Sequence, residues 1–380
     1  MMLRKFEVTN YKNFKDTLSI DFGAVGGYQF NSNCINEETI SKMLTYGRNS
    51  TGKTNLGSAI VDITMSRFLI QRGNRNNFLN ADSNCDYATF NYFFQFDNDK
   101  VQYLYHKKTI GAFSYEKLII NDDVIFEFDY LKNAFLFNQL TLISAETIIV
   151  DRFLESISDD NPLDETIPAH PSFLRWLLAN AAFANDSVMI KLRNYIDRMA
   201  YYSVYAMSRN LPVPNDDFIQ SLEGEELKNL EKFLNAMGVD CQLENKRLPD
   251  GQNEIYFKHK IPVPFFRTAS SGTLVLFNLY RRIATRIKHL SFFYLDEFDA
   301  FFHYEMSEKF LKYIKESFPH CQVILTTHNT NLMTNRIMRP DCVFILTHDG
   351  KLTALNKATT RELREGHNLE KLYMSGEFDG

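Results

Sequence analysis

The segment Gly47–Thr54 constrains the fold of this chain more than any other stretch. It matches the pattern G-x-x-x-x-G-K-[S/T] without a mismatch. Residues 43–46 before it are predicted to form a short buried strand, and residues 55 to about 71 a helix. Glycines at this spacing allow a tight loop whose backbone N–H groups point inward, and the helix N-terminus adds the positive end of its dipole. The sequence therefore predicts a phosphate-binding loop between a strand and a helix.

The side chains of this loop fit a nucleoside triphosphate held with a metal ion. Lys53 is expected to reach the β- and γ-phosphates, and the hydroxyl of Thr54 is expected to bind Mg²⁺. The alternative is a glycine turn that carries a lysine by chance.

Composition narrows the class of protein. A chain of 380 residues has room for two to three domains, or for one large domain with an insertion. A net charge of -5 gives no global indication of nucleic-acid binding. The five cysteines include no C-x-x-C pair, which argues against a zinc ribbon and suits a reducing cytoplasm. No apolar run reaches about 18 residues, so we predict no transmembrane helix and a cytoplasmic location.

Hydrophobic periodicity predicts an α/β fold that combines a parallel sheet with an antiparallel β lobe. Alternating patterns predict strands at 3–9, 17–22, 87–96, 101–107, 115–120 and 124–130, with the last four forming an antiparallel meander. Helical spacing from residue 172 to about 207 predicts two helices that are broken near residues 185–187, and a short helix is predicted over 225–237. The last third is predicted to alternate helices and strands, including a short helix at 331–335, as chains with parallel sheets do. We predict three parts: 1–150 with the phosphate loop and β lobe, 151–260 as a mainly helical insertion or arm, and 261–380.

An apolar strand at residues 292–295 ends in two carboxylates, Asp296 and Glu297. The ligand crevice of a covered parallel sheet lies at the carboxyl ends of its strands. Asp296 is therefore expected to hold Mg²⁺ through water, and Glu297 to polarise an attacking water. The alternatives are an acidic turn, or a two-metal nuclease site that also uses Asp299.

Two further segments are candidates for contact with phosphate. The apolar strand 322–326 is followed by His328, which is well placed to sense a γ-phosphate. Ser270, Ser271 and Gly272 precede a predicted helix, and small hydroxyl residues at a helix N-terminus make an anion site. The alternative for this second segment is a simple helix cap.

The order of these motifs resembles that of the ATP-binding cassette (ABC) ATPases of the SMC, RecF and OLD type. In that comparison Walker A is 47–54, the signature is 269–273, Walker B is 292–297, the D-loop is 299–303, and His328 is the switch histidine. Within the group, the form of the signature and the ending 368–378 resemble the bacterial AAA ATPases of the phage-defence type, similar to the ATPase subunits of PARIS-like or RloA-like systems. The signature departs from the usual form because Ala269 stands where leucine is common.

The resemblance implies an ABC nucleotide-binding domain that uses ATP and Mg²⁺ and works as a homodimer or higher homo-oligomer. Ser270, Ser271 and Gly272 of one subunit would contact the γ-phosphate held by the other, and Asp299 would organise that interface. Lys12 and Asn13 would lie near the nucleotide base. The expected nucleotide contacts of the loop are Gly47, Asn49, Ser50, Thr51, Gly52, Lys53, Thr54 and Asn55.

Three functions fit these patterns. The first is an ATPase that controls an effector encoded nearby, a nuclease or toxin, in antiviral defence, with a nucleic acid or phage protein as a candidate trigger. The second is a RecF-like or SMC-like DNA-binding ATPase in repair or maintenance, for which basic residues at 72, 75, 281, 282, 286 and 288 are the candidate surface. The third is a nuclease in its own right. Gln95 and Gln139 are both candidates for the Q-loop glutamine.

Overall fold

The computed structural model describes residues 2–64, 77–137, 152–155, 172–209, 217–284 and 289–378. A mostly parallel sheet and an antiparallel sheet make up its main layers, and a small three-stranded sheet accompanies them. The predicted α/β fold, with an antiparallel β lobe beside a parallel sheet, is confirmed.

The strands in chain order are β1 (Met2–Thr9), β2 (Leu18–Asp21), β3 (Ile35–Asn36), β4 (Thr39–Ile40), β5 (Lys42–Tyr46), β6 (Ala88–Phe96), β7 (Asp99–Thr109), β8 (Ala112–Ile120), β9 (Asp123–Asp129), β10 (Ala134–Phe137), β11 (Met199–Ser203), β12 (Leu243–Arg247), β13 (Asn253–Phe257), β14 (Val263–Pro264), β15 (Phe292–Asp296), β16 (Gln322–Thr327), β17 (Val343–Leu346) and β18 (Leu352–Ala354). The helices are α1 (Lys53–Ile60), α2 (Phe173–Asn180), α3 (Val188–Asp197), α4 (Val204–Arg209), α5 (Asp217–Ser221), α6 (Gly224–Ala236), α7 (Phe265–Thr268), α8 (Ser271–Ala284), α9 (Tyr304–Ser317) and α10 (Leu369–Met374). Within the described ranges, none of these helices combines the length and the apolar character needed to cross a membrane.

The antiparallel sheet has the order β10-β9-β8-β7-β6-β1-β2. Side chains of β6 and β8 alternate between buried and half-buried positions along their whole length. This is the period of a sheet that presents one face to a core. The predicted meander is confirmed, and β10 extends it by a strand that periodicity did not predict.

The central sheet has the order β11-β15-β16-β5-β17-β18, and only the β17–β18 pair is antiparallel. Every residue of β5, β15, β16 and β17 is buried, as in a sheet covered on both faces. Because β5, β15 and β16 run in parallel, their carboxyl ends meet at one edge. The phosphate loop, the paired carboxylates and His328 follow these three strand ends.

Of the two helices predicted between residues 172 and about 207, the second is wrong over residues 199–203. Helices α2 and α3 are present, separated near Ser187, whose hydroxyl caps α3. Residues 199–203 instead form β11, which pairs in parallel with β15 from Met199 opposite Phe292 to Ser203 opposite Asp296. Local spacing could not indicate this strand because its partner lies far along the chain. The division into three parts stays a prediction.

Two other predicted helices have different bounds or a different type in the structure. The first helix, predicted to reach about residue 71, is α1, followed by a 3₁₀ turn at Asp62–Thr64; residues 65–71 lie outside the described ranges. The short helix predicted at 331–335 is a 3₁₀ turn at Thr330–Leu332.

A buried carboxylate joins the antiparallel sheet to the middle of the chain. Glu116 on β8 is fully buried and accepts hydrogen bonds from the hydroxyls of Tyr103 (2.6 Å) and Tyr130 (2.7 Å). It also accepts from the Ser172 hydroxyl and from the backbone N–H groups of Phe173 and Leu174 at 3.0, 2.7 and 3.3 Å. Those N–H groups are unpaired donors at the start of α2. Glu116 therefore caps this helix from the neighbouring sheet.

Candidate functional site

The loop after β5 depends on glycine at position 52. Gly52 has a φ of 104°, and a Cβ added there would lie 2.2 Å from Nδ2 of Asn13. That nitrogen donates to the carbonyl oxygen of Thr51 at 2.8 Å, and Asn55 donates to the Asn13 side-chain oxygen at 2.8 Å. The hairpin after β1 thus braces the loop through Asn13, a contact that the sequence patterns did not indicate.

The remaining loop residues differ in exposure. Asn49 and Ser50 are exposed, and Ser50 has a φ of 65°. Thr51 is buried, and its hydroxyl donates to the carbonyl oxygen of Arg48 at 3.0 Å. Gly47 lies so close to the Thr51 hydroxyl that an added Cβ would be 2.5 Å from it. The tip of the loop is therefore open to solvent, whereas its base is packed.

Lys53 points back across the loop. Its Nζ donates to the carbonyl oxygens of Gly47 at 2.8 Å and Arg48 at 3.2 Å, and lies 2.9 Å from Nε2 of His328. Burial lowers the pKa of Lys53, while the nearby charges of Glu297 and Asp296 act in the opposite direction. The cation is therefore held at the centre of the residues that follow the three strand ends.

Asp296 and Thr54 form the part of the site that suits a divalent cation. The Thr54 hydroxyl donates to Oδ2 of Asp296 at 2.6 Å, and the Thr326 hydroxyl donates to Oδ1 at 2.8 Å. Asp296 is buried, and this burial raises its pKa, while the two threonine hydrogen bonds lower it. A hydroxyl and a carboxylate are the oxygen donors that Mg²⁺ prefers, so these residues fit that ion.

Glu297 leaves the strand with an unusual backbone. Its φ is 50°, in the left-handed region that non-glycine residues seldom occupy. Its backbone N–H donates to the hydroxyl of Thr326 at 2.8 Å. One carboxylate oxygen of Glu297 lies 3.4 Å from Nε2 of His328, and both side chains are partly exposed. This turn directs Glu297 towards the histidine, not along the strand.

Asp299 belongs to a separate hydrogen-bond group. It accepts from the Thr327 hydroxyl at 2.7 Å, and that hydroxyl accepts from the backbone N–H of Asn329 at 2.9 Å. Burial raises the pKa of Asp299. In the described part of the chain, no group of three or more histidine, cysteine, aspartate or glutamate side chains is arranged to hold a metal ion. The carboxylates of Asp296, Glu297 and Asp299 thus contact different side chains.

The predicted signature residues lie at the start of α8 and are not in the phosphate loop. Ser270 and Ser271 are exposed. The Ser270 oxygen accepts from the Thr273 backbone N–H at 3.2 Å, which is a helix cap. A Cβ on Gly272 would lie 2.8 Å from the carbonyl oxygen of Phe301, so the segment after β15 packs against this helix start. These residues present hydroxyls to solvent beside the predicted D-loop.

A cavity of about 740 Å³ opens beside the phosphate loop. The residues that line it include Lys12, Asn13, Asn55, Ser58 and Asp62. Asp62 is buried and forms an ion pair of 2.7 Å with Lys107, which is 1% exposed. The two residues expected near a nucleotide base, Lys12 and Asn13, therefore line one cavity with α1.

The structure gives few contacts for the candidate Q-loop glutamines and for the predicted basic surface. The side chain of Gln95 donates to the carbonyl oxygen of Asp97 at the end of β6, and Gln139 lies outside the described ranges. Of the predicted basic surface, Arg282 lies over the ring of Tyr202 at 5.0 Å. Residues 72, 75, 286 and 288 lie outside the described ranges.

Comparisons with known proteins were made at the level of family, curated protein and structure. A family model described as "AAA domain, putative AbiEii toxin, Type IV TA system" matches residues 46–334. Among curated proteins, the comparison returned no match.

Three solved structures of SMC heads are similar over nearly the whole chain. An SMC head bound to the C-winged helix domain of ScpA is 17% identical, covers 94% of this chain and 99% of its own, and has a TM-score of 0.49. The SMC head domain from Thermotoga maritima is 15% identical, with coverages of 93% and 99% and a TM-score of 0.44. The Smc head with an extended coiled coil bound to the C-terminal domain of ScpA, derived from Pyrococcus furiosus, is 16% identical, with coverages of 94% and 97% and a TM-score of 0.48.

Proposed function

The chain belongs to the family of AAA domains described as putative AbiEii toxins of Type IV TA systems, and from this premise we propose that it is an ABC-type ATPase that binds and hydrolyses ATP. The observation that carries the proposal is the convergence of five side chains from three strand ends. Lys53 and Thr54 follow β5, Asp296 and Glu297 end or follow β15, and His328 follows β16. Hydrogen bonds and close contacts of 2.6–3.4 Å connect them.

Each side chain has a role that its position supports. The Lys53 ammonium neutralises phosphate charge, and the loop N–H groups and the start of α1 bind phosphate oxygens. Thr54 and Asp296 would hold Mg²⁺, which when bound supplies positive charge against the charge that develops on the phosphates. Glu297 accepts a proton from the attacking water, and His328 orients Glu297 and Lys53.

We further propose that the complete site forms between two copies of the chain. The start of α8 offers hydroxyl and backbone N–H donors to solvent, because Ser270 and Ser271 are exposed there. These donors are not part of the chain's own phosphate loop, so they are open to a ligand held by another copy. In a head-to-tail homodimer these groups would reach the γ-phosphate bound by the partner, and Asp299 would lie at the interface. ATP binding would close this interface and hydrolysis would open it.

The proposed biological role is control of an effector in antiviral defence. The family description refers to a putative toxin of a Type IV toxin–antitoxin system, which supports a setting of this kind, and we propose a nuclease or toxin as the partner. A nucleic acid or phage protein remains the candidate trigger. This role rests on family membership, whereas the ATPase proposal also rests on the geometry of the site.

A pair of variants tests the ATPase proposal. Lys53→Ala should abolish tight ATP binding, because it removes the only side-chain cation that we place on the phosphates. Glu297→Gln should keep ATP binding, slow hydrolysis and lengthen the closed dimeric state. Unchanged turnover in Glu297→Gln, or normal ATP affinity in Lys53→Ala, would contradict the roles given to these residues.

A co-purification tests the partner. The tagged wild type and Glu297→Gln are isolated with ATP from cells that also express the neighbouring genes. A neighbouring protein held by one nucleotide state and released by the other would support effector control. Recovery of nucleic acid with a salt-dependent affinity, in place of a protein, would favour the alternative DNA-binding ATPase. Metal-dependent DNA cleavage that survives Lys53→Ala would favour a nuclease.

A further inference from the structure

The strand that ends in Asp296 has a neighbour on each side, and each neighbour places a hydroxyl near the same carboxylate. In the central sheet, β15 lies between β11 and β16. Thr326 is on β16 and Tyr201 is on β11. The sequence patterns gave neither side chain a role in the site, and β11 comes from a segment whose sequence predicted a helix.

Thr326 links the two acidic residues to one another. It is fully buried, donates to Oδ1 of Asp296 at 2.8 Å, and accepts from the backbone N–H of Glu297 at 2.8 Å. A single hydroxyl therefore fixes the orientation of the Asp296 carboxylate and also holds the backbone of Glu297 in its left-handed conformation. Both atoms would lose a buried partner if this hydroxyl were removed.

Tyr201 reaches the carboxylate from the other side. It lies opposite Tyr294 in the parallel register, so its side chain is on the face of the sheet that carries Asp296. The rings of Tyr201 and Tyr294 stack at 5.7 Å, and a Cβ on Gly57 of α1 would come within 2.7 Å of the Tyr201 ring. Burial and, after it, the nearby charge of Asp296 raise the pKa of Tyr201, so the tyrosine hydroxyl lies beside that carboxylate. Glycine at position 57 leaves the space that this ring occupies.

We propose that Thr326 and Tyr201 are positioning residues that orient Asp296 for Mg²⁺ at the nucleotide site. The proposal rests on the proposed ATPase function, because it concerns the same metal. A carboxylate held by hydrogen bonds keeps one orientation without a metal, so less freedom is lost when the ion binds. Through Tyr201, the middle part of the chain contributes directly to the geometry of the metal site.

The chain provides a matched control for each variant. Thr326→Val removes the hydroxyl and keeps the shape, and Thr326→Ser restores a hydroxyl. Thr45 on β5 is the register partner of Thr326, is equally buried, and its hydroxyl has no hydrogen-bond partner within the described ranges. Thr45→Val is therefore the control for position 326. Tyr201→Phe is compared with Tyr202→Phe, because Tyr202 points to the opposite face and packs on Phe293.

The experiment measures binding of a fluorescent ATP analogue at increasing Mg²⁺ concentrations and in EDTA, together with hydrolysis and thermal unfolding. Thr326→Val should raise the Mg²⁺ concentration needed for half-maximal binding by about 10-fold, the lower end of the effect of losing a partner of a metal ligand. Tyr201→Phe should raise it in the same direction. Binding in EDTA should stay at the wild-type level, Thr326→Ser should restore the Mg²⁺ dependence, and both controls should match wild type.

The outcomes separate this inference from the proposed function. An unchanged Mg²⁺ dependence in Tyr201→Phe and Thr326→Val, with normal binding by wild type, would overturn the positioning role alone. Equal losses with Mg²⁺ and in EDTA would also overturn it, because they indicate general damage to the site. If Thr326→Val does not fold, Tyr201→Phe, compared with Tyr202→Phe, decides the question. A wild-type protein without Mg²⁺-dependent nucleotide binding would refute the proposed ATPase, and this inference with it.

Discussion

Replacing Glu116 by glutamine should destabilise the junction between the antiparallel sheet and the middle of the chain. Oε1 of Glu116 accepts from Tyr130 and from the backbone N–H of Phe173, at 2.7 Å each. Oε2 accepts from Tyr103, Ser172 and the backbone N–H of Leu174. Each oxygen therefore has one backbone donor that cannot turn away. Whichever oxygen the glutamine replaces with an NH₂ group, a buried N–H will face another donor.

The expected loss of stability follows from the number of donors that would be left without an acceptor. A buried donor without an acceptor costs about 1–3 kcal/mol. The tyrosine and serine hydroxyls can rotate and accept from the new NH₂ group, so their loss is partly offset. We expect Glu116→Gln to lower the free energy of unfolding by about 2–3 kcal/mol. Because burial raises the pKa of Glu116, the measurement belongs at about pH 8, where the carboxylate is the group compared.

The chain has a single tryptophan, which makes the assay local. Trp176 lies on α2, the helix that Glu116 caps, and it stacks on Phe173 at 6.0 Å. Urea unfolding followed by selective excitation of Trp176 therefore reports the stability of this helix and its contacts. Comparison with far-UV circular dichroism shows whether the helix unfolds with the rest of the domain.

Glu127→Gln is the matched control. Glu127 is on the adjacent strand and also accepts from a tyrosine, Tyr115, at 2.8 Å, but its side chain is 34% exposed. Exposed polar partners of this kind contribute less than about 1 kcal/mol. If Glu116→Gln costs no more than Glu127→Gln, the reasoning about capping from a neighbouring sheet is refuted.

Three further predictions concern the phosphate loop and the strand that leads into it. Burial lowers the pKa of Lys42 from 10.5 to about 8. Between these two pH values the unfolded chain binds more protons than the folded chain, so the free energy of unfolding should rise with pH. Urea unfolding at several pH values should show this rise in the wild type and not in Lys42→Met. Gly52→Ala should lower the thermal unfolding midpoint at a cost of about 1–3 kcal/mol, because Gly52 has a positive φ and an added Cβ would clash with Asn13. Adding Asn13→Ala should recover the part of the loss that is due to the clash. Strict additivity of the two losses would contradict this account. Burial lowers the pKa of Lys53, so nucleotide affinity should fall with rising pH earlier than for an ordinary lysine, and Lys53→Arg should move the fall to higher pH; identical pH profiles would argue against Lys53 as the phosphate cation.

The strands and the strand-end residues were predictable because their patterns are local. Alternation along β6 and β8, and the continuous apolar runs of β15 and β16, are visible within single segments. The loop pattern at 47–54 and the carboxylates at 296 and 297 also carry their chemistry in adjacent residues. A parallel sheet then requires that they meet, since its strand ends share an edge.

The contacts that complete the site were not predictable because they join distant residues. Asn13 and the phosphate loop, Thr326 and Asp296, and Tyr201 and Asp296 are brought together only by the order of strands in the sheet. β11 shows the reason most clearly: five residues after a helix continue its apolar spacing, and only pairing with β15 selects the extended form. Short segments of this kind are decided by tertiary partners, not by their own sequence.

The position of β5 has a consequence for the order in which the protein can be made. On the ribosome, β5 and the phosphate loop are synthesised early, but the strands on either side of it, β16 and β17, end at residues 327 and 346. Until those residues leave the exit tunnel, the nascent chain carries a strand that is fully buried in the finished sheet but still has two open edges, which is a hazard for aggregation. The proposed nucleotide site would then assemble in one late step, when β16 and β17 pair with the two edges of β5.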